Sequence, residues 1–342
     1  MIKQAQFHAV HSVNIELINL YWNVRAYITR QLANAVWGEK TVDELADFIQ
    51  SNQPDLKGFN RRGLYRMKQF YETYSSIQFV SPLMAQLQPF ANKEDIITSS
   101  AMTQFRVDDI RESILAKVSW THHLTLISRT KTIEECEFYL KLAIQEKYSV
   151  KELDRQISVS LYERTMLESP KLSALLGEMH PNITASVKDS YVFEFLGLPE
   201  SHSENDLQKG LVGQLKKFIL ELGKDFLLVG EEYRIQVGNS DFCIDLLFYH
   251  RGLQCLVAFE LKTDKFQPEY LGKLNFYLEA LDRDVKKSNE NPSIGVLLCK
   301  DRGEVVEYAL SRTLSPTMVS KYHTQLPDKK LLQKKLRELF EQ

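Results

Sequence analysis

Two carboxylates and one amine stand in a stretch whose other residues are mostly apolar. In CIDLLFYHRGLQCLVAFELK, residues 243–262, Asp245 lies inside one strand-like run, and Glu260 and Lys262 close the next, with Arg251-Gly252 as the turn between them. Successive strand residues point to opposite faces, so Glu260 and Lys262 emerge on the same side. Pairing of the two runs brings Asp245 beside them. Charges placed in such runs are costly unless something compensates them. A hard divalent cation is one such partner: Mg²⁺ takes one or two carboxylates, keeps several waters and completes its shell with substrate phosphate. The main-chain carbonyl of Leu261 is a further candidate ligand. A compact ammonium beside the ion can orient or deprotonate an attacking water and stabilise charge growing at phosphorus. The plain alternative is an edge-strand ion pair, which an isolated E-x-K usually is. Here an Asp precedes it on its own strand, with a hairpin turn between.

The elements that must hold these groups are legible around them. Ser203 can cap a helix over 204–222, closed by Gly223. Phe226 to Val229, Tyr233 to Val237, Phe242 to Tyr249, Cys255 to Leu261 and Ile294 to Cys299 are strand-like, punctuated by Gly230, Gly238-Asn239-Ser240 and Arg251-Gly252. A helix fits between Pro268 and Leu281. The order is helix, three or four strands, helix, strand, with the last strand returning through a crossover. Leu332, Leu336, Leu339 and Phe340 make a short amphipathic terminal helix suited to packing or self-association.

Upstream the chain changes character. Only Gly38, Gly58 and Gly63 precede residue 170, whereas ten glycines lie from Gly197 to Gly303. Glycine is costly inside helices, so the first half is expected to be nearly all helical. Thr41-Val-Asp-Glu44, Thr132-Ile-Glu-Glu135 and Ser149-Val-Lys-Glu152 fit capping boxes, and residues 12–33, 104–118 and 133–147 carry a helical period. In FNRRGLYRMKQFYETYS, Leu64, Met67, Tyr71 and Tyr74 share one face and Arg62, Tyr65, Arg66 and Gln69 the other. With Arg61 and Lys68, these arginines form a candidate phosphate-binding cluster on a helix–turn–helix-like segment. The linking SNQPDLKG is longer than the usual turn, and solvated basic residues are the simpler explanation. The expected division is residues 1–168 helical, 169–202 connecting (with Pro170, Pro181 and Pro199), and 203–342 carrying the site.

Lys+Arg 43 against Asp+Glu 45 gives a net charge of −2, with 44% hydrophobic residues. That composition excludes a disordered chain or one that coats nucleic acid by overall charge. Short apolar runs and the absence of a leader-like start lead to the expectation of a cytoplasmic protein with no membrane span. Cys136, Cys243, Cys255 and Cys299 show no C-x-x-C spacing and read as buried free thiols. His122, His123 and His250 read as packed or hydrogen-bonded. No G-x-S-x-G or phosphate-loop motif is present.

The D–hairpin–ExK order resembles the PD-(D/E)xK nuclease superfamily. More narrowly, FILELGKDFLLVGEEYRI, DFCIDLLFYHRGLQCLVAFELK and FQPEYLGKLNFYL are similar to the bacterial YhcG-like family. GFNRRGLYRMKQFY, SWTHHLTLISR and YSVKELDRQISVSLYER resemble that family's N-terminal domain. The resemblance implies a two-domain α+β/α/β chain, with an all-helical domain followed by a restriction-endonuclease-like αβββαβ domain. It implies a Mg²⁺- or Mn²⁺-dependent DNA endonuclease, in bacterial DNA processing or defence, attacking in line with water. Asp245 and Glu260 match its metal ligands and Lys262 its catalytic lysine. Relatives tend to carry Glu at the position of Gln208, so either Glu204, one turn earlier, substitutes or metal binding is weaker. Lys273 and Tyr277 match positions where a substrate-side polar residue is common. DNA is the implied partner, with a homodimer or other subunits of such a system as further partners. The competing expectation is a nuclease-fold protein that binds DNA or protein without turnover.

Overall fold

The computed structural model describes residues 2–33, 41–75, 110–111, 113–168, 170–181 and 183–340. The chain divides into two units, residues 1–157 and 158–342. In the first, helices α1 (Ile2–Ala33), α2 (Thr41–Asn52), α3 (Arg61–Tyr74), α4 (Trp120–Arg129), α5 (Ile133–Gln145) and α6 (Val150–Ser158) are present, α6 ending at the border. The starts follow the hydroxyl signals: Thr132 accepts from the amide of Glu135, and Ser149 from that of Glu152. Asn60, not recognised in the sequence, caps α3 through the amide of Gly63. α3 buries Leu64, Met67, Phe70 and Tyr74. Phe70 thus takes the central place expected of Tyr71, and Trp22, Trp120 and His123 pack edge-on around its ring. Gly63 is required where it stands, because a Cβ there would meet the carbonyl oxygen of Gly58 at 1.8 Å. The helix expected over 104–118 lies partly outside the described residues. Its described end carries only a short 3-10 turn, Ile114–Lys117.

The second unit begins with α7 (Leu161–Leu167) and is built on one mixed sheet. Its strands are β1 (Lys171–Leu172), β2 (Ser190–Val192), β3 (Phe226–Val237), β4 (Ser240–His250), β5 (Cys255–Leu261), β6 (Ile294–Cys299) and β7 (Thr317–His323). The order is β1-β7-β6-β5-β4-β3, with β2 also pairing β7. β3, β4 and β5 run antiparallel, while β5, β6 and β7 are parallel. The fully buried, Val/Leu/Ile-rich β5 and β6 are what a sheet covered on both faces demands. One face packs Leu207, Leu211, Phe218 and Leu222 of α9 (Glu204–Gly213) and α10 (Leu215–Leu222) onto Phe248, Val257, Phe259 and Leu298. The other packs Leu271, Leu274, Tyr277 and Leu278 of α11 (Glu269–Asp284) onto Leu247, Ala258 and Leu297. α8 (Ala174–Met179), α12 (Val305–Leu310) and α13 (Lys329–Phe340) complete the unit. Within it the terminal helix packs: Gln333 and Lys329 of α13 reach Glu163 of α7.

Several expectations need correction. The segment 169–202 is not a mere connector, since β1 and β2 lie within it and both pair β7. Two- and three-residue strands have no readable period and exist because β7 offers them a ladder. β7 itself follows Pro316 and was unread. The helix over 204–222 is two helices, broken at Gln214. The strands proposed on either side of Gly230 are one long strand with a register shift between Leu228 and Gly230. Cys243 is exposed, whereas Cys136, Cys255 and Cys299 are buried free thiols. Among the described residues no helix is long and apolar enough to cross a membrane.

Candidate active site

β4, β5, α9 and α11 converge on one cluster. β4 pairs β5 in antiparallel register, with Leu246 opposite Phe259, which carries Asp245 to the end of β5. There one Asp245 oxygen, Oδ2, accepts the amide of Leu261 at 2.7 Å. Face alternation in β4 slips at this position: Ile244 packs beneath α11, while Leu246 packs with α9 and α10. On the neighbouring strand, between the pairs Glu231–Leu246 and Tyr233–Ile244, Glu232 has a left-handed φ of 43°. A non-glycine residue in that region is strained, and such strain gathers at functional sites.

Glu260 is completely buried. Its Oε1 meets the ammonium of Lys273 at 2.6 Å and that of Lys262 at 3.1 Å, while Oε2 is buried without any hydrogen-bond partner. The Lys262 ammonium also donates to Glu204 Oε2 and to the Leu261 carbonyl, each at 3.0 Å, and lies 5.3 Å from the centre of the Tyr270 ring. Gln208 turns its amide to donate to the main-chain carbonyl of Asp245 at 3.1 Å. Lys273 sits 5.4 Å from the centre of the Tyr277 ring. Asp245, Glu260, Lys262, Glu204, Gln208, Leu261, Lys273 and Tyr277 are therefore brought together. Tyr270 was missed. Its hydroxyl donates to Asp264 at 2.7 Å, holding the ring beneath Lys262, and only the K-x₇-Y spacing after a turn hinted at it.

The electrostatics follow from crowding like charges in a dry place. Burial, reinforced by the charge of Glu260, pushes the Asp245 carboxyl up to about 6. Burial works against the Lys262 ammonium, but the hydrogen bond to Glu204 and the charge of Glu260 outweigh it and hold that amine above its ordinary value. Lys273 is raised in the same way through Glu260. Both lysines are cations here, so neither is a free base. The donor set fits a hard divalent ion: two neighbouring carboxylates, an orphaned buried oxygen on one of them, and a main-chain carbonyl at the strand end. Among the described residues no group of three or more His, Cys, Asp or Glu side chains could hold a metal.

The other candidates resolve into structure. His122 bonds Ser119 and the Tyr148 carbonyl, His123 bonds Tyr74 and the Leu115 carbonyl, and Nδ1 of His250 accepts from the Leu253 amide. On α3, Arg61 is tied to Asp43 at 2.8 Å and lies near the Tyr65 ring, and Lys68 stands 3.9 Å from Glu72. Arg62 is exposed and Arg66 half-buried. Two of the four basic residues proposed for phosphate contact thus have local acidic or aromatic neighbours.

A mixed sheet between helix layers, with an Asp on one strand and E-x-K closing the next, defines a PD-(D/E)xK-type domain. Residues 184–337 match the family described as YhcG PDDEXK nuclease domain, and residues 1–164 match the DUF1016 N-terminal domain. The chain is 30% identical to the "Putative nuclease YhcG" of Escherichia coli (strain K12), over 97% of this chain and 90% of that one. It belongs to the YhcG family. A repair endonuclease from Pyrococcus abyssi is similar over 37% of this chain and 49% of its own, at 16% identity and a TM-score of 0.27, a likeness too slight to carry weight.

Proposed function

We propose that the chain is a divalent-metal-dependent nuclease that hydrolyses phosphodiester bonds of DNA at the Asp245/Glu260/Lys262 cluster. The observation that carries this is Glu260: wholly buried, with two ammonium groups crowded on one oxygen and nothing on the other. A carboxylate left half-satisfied in a dry site is expensive as pure structure and suits a ligand that brings positive charge. Asp245, Glu260 and the Leu261 carbonyl are the groups to hold Mg²⁺ or Mn²⁺. Such an ion supplies charge neutralisation at a phosphate oxygen and an activated water. Lys262, kept cationic by Glu204 and Glu260, offsets negative charge developing at phosphorus. It does so as a cation, not as the base that the sequence left open. Gln208 acts on Asp245 through its main chain and Glu204 acts on Lys262, so a neutral residue at 208 still leaves both carboxylates in place. Tyr270 and Lys273 fix the amine and Glu260 respectively.

The test is nicking of supercoiled plasmid DNA with and without divalent metal. Glu260→Gln, Asp245→Asn and Lys262→Ala are each expected to lower the rate by roughly 10²–10³ while circular dichroism stays native. Cleavage that survives all three substitutions, or proceeds in chelator, contradicts the proposal. DNA binding that persists without cleavage in any metal would establish the competing reading of a binding module.

A further inference from the structure

Among the described residues, an open hollow lies outside the cluster just described. It encloses about 310 Å³ and is lined by Glu200, Lys300, His323, Thr324 and Gln325 among others, a volume at the small end for ligand pockets. Its position follows from the parallel strands. β5, β6 and β7 end on the same edge of the sheet, with Leu261 in register with Leu298 and Cys299 with Lys321. Beyond β5, the amide of Lys262 donates to the Leu298 carbonyl at 2.8 Å, and the amide of Lys300 returns to the Asp264 carbonyl at 3.2 Å. The chain bearing Lys262 and the chain bearing Lys300 therefore run side by side, about one strand spacing of 4.8 Å apart.

The lysines on this edge differ in what neutralises them. Lys262 and Lys273 share Glu260, and Lys265 and Lys321 share Asp301. Among the described residues the Lys300 ammonium meets no carboxylate; its partner is the main-chain carbonyl of Glu200. Around it stand groups able to bond a sugar or a base edge: the hydroxyl of Thr324, the amide of Gln325 and the ring of His323. Burial, together with the neighbouring cations Arg164, Lys321 and Arg302, keeps that ring uncharged. A cation with no carboxylate partner, in a hollow that also offers the apolar surfaces of Tyr322, Leu326 and Pro327, suits a phosphate followed by its nucleoside.

We infer that this cavity is a binding subsite for the nucleotide flanking the scissile phosphate, with Lys300 holding that nucleotide's phosphate. The inference rests on the nuclease reading and gives the same site a second anchoring point on the strand. The test is binding of fluorescein-labelled oligonucleotides by the full chain, followed by anisotropy with Ca²⁺ so that turnover does not enter. Lys300→Glu is expected to weaken binding roughly tenfold, and Lys300→Gln by less, each lowering the slope of log K against log salt by about one. Lys330→Glu, an exposed charge reversal on α13, should stay within about twofold as the control. Shortening the oligonucleotide one nucleotide at a time should erase the Lys300 effect at a defined length. Binding by Lys300→Glu equal to wild type, or reduced no more than by Lys330→Glu, overturns the subsite while leaving the nuclease reading intact. Native binding that responds to Lys300, without cleavage in any metal, supports the subsite and sinks the nuclease reading. No affinity of the wild type for any oligonucleotide overturns both.

Discussion

In the helical unit the ring of His123 is completely enclosed, and each of its nitrogens has a partner. Nε2–H donates to the Leu115 carbonyl at 2.8 Å, Nδ1 accepts the Tyr74 hydroxyl at 3.1 Å, and Tyr74 accepts in turn from the Cys136 thiol at 3.6 Å. In the second unit Glu260 is equally enclosed, yet one of its oxygens has no partner while two ammonium groups share the other. The first cluster is closed and neutral, and nothing need be added to it. The second crowds two carboxylates and leaves one buried oxygen, Glu260 Oε2, without a partner. Buried polar groups are tolerated when satisfied and costly when not. The contrast separates a buried polar cluster whose groups are all satisfied from one in which a carboxylate oxygen is not, without appeal to residue type.

The comparison can be broken by parallel substitutions. His123→Leu removes a satisfied group and strands the Leu115 carbonyl and the Tyr74 hydroxyl. It should destabilise the helical unit by about 2–3 kcal/mol. All three tryptophans, Trp22, Trp37 and Trp120, lie in that unit, so denaturation followed by tryptophan fluorescence reads it selectively. Asp245→Asn should act in the opposite direction, stabilising the second unit at neutral pH by about 1–2 kcal/mol, because it removes a charge that the apo site holds unwillingly. Far-UV circular dichroism of the second transition checks this, and a loss of stability there would mean that the cluster is ordinary packing.

The pH profiles should also slope oppositely. The native pKa of His123 is lowered to about 4 by burial, below its ordinary 6.5. The unfolded chain therefore binds the extra proton in that window, and stability is lost as pH falls from about 6.5 toward 4. The native pKa of Asp245 is raised from 3.8 to about 6. There the folded chain binds the extra proton, so its contribution favours folding at low pH and declines as pH rises through the same window. The smallest effect is expected at Gln208→Glu. It trades the donor to the Asp245 carbonyl for a further acidic group beside Glu204, Asp245 and Glu260, and should raise cleavage a few-fold at limiting metal while slightly destabilising the protein without metal. No change in metal dependence would mean that residue 208 acts only on the main chain.

Much of the site was legible because its chemistry is local. Strand bounds at 255–261 and 294–299 follow from runs that are apolar apart from Glu260, and the E-x-K spacing places two charges on one side without any tertiary knowledge. What escaped was set by distant partners. The two residues of β1 form a strand only against β7, 148 residues later by the pairing of Lys171 with Val319. The left-handed φ of Glu232 and the face slip at Asp245 arise opposite one another in the β3–β4 ladder, between the pairs Glu231–Leu246 and Tyr233–Ile244, and neither strand's own pattern announces them. The two resting charges on Glu260 could not be read either, since Lys273 arrives from a helix whose tilt the sequence does not state.

The most direct measurement is a titration of the full chain with Mn²⁺, following the free ion by its paramagnetic resonance, for wild type and Glu260→Gln. The wild type should take up Mn²⁺ in competition with protons, its affinity falling about tenfold per unit below pH 6, and Glu260→Gln should bind far more weakly. Equal binding by the two proteins, or affinity indifferent to pH across that range, would contradict a cation held by this carboxylate pair.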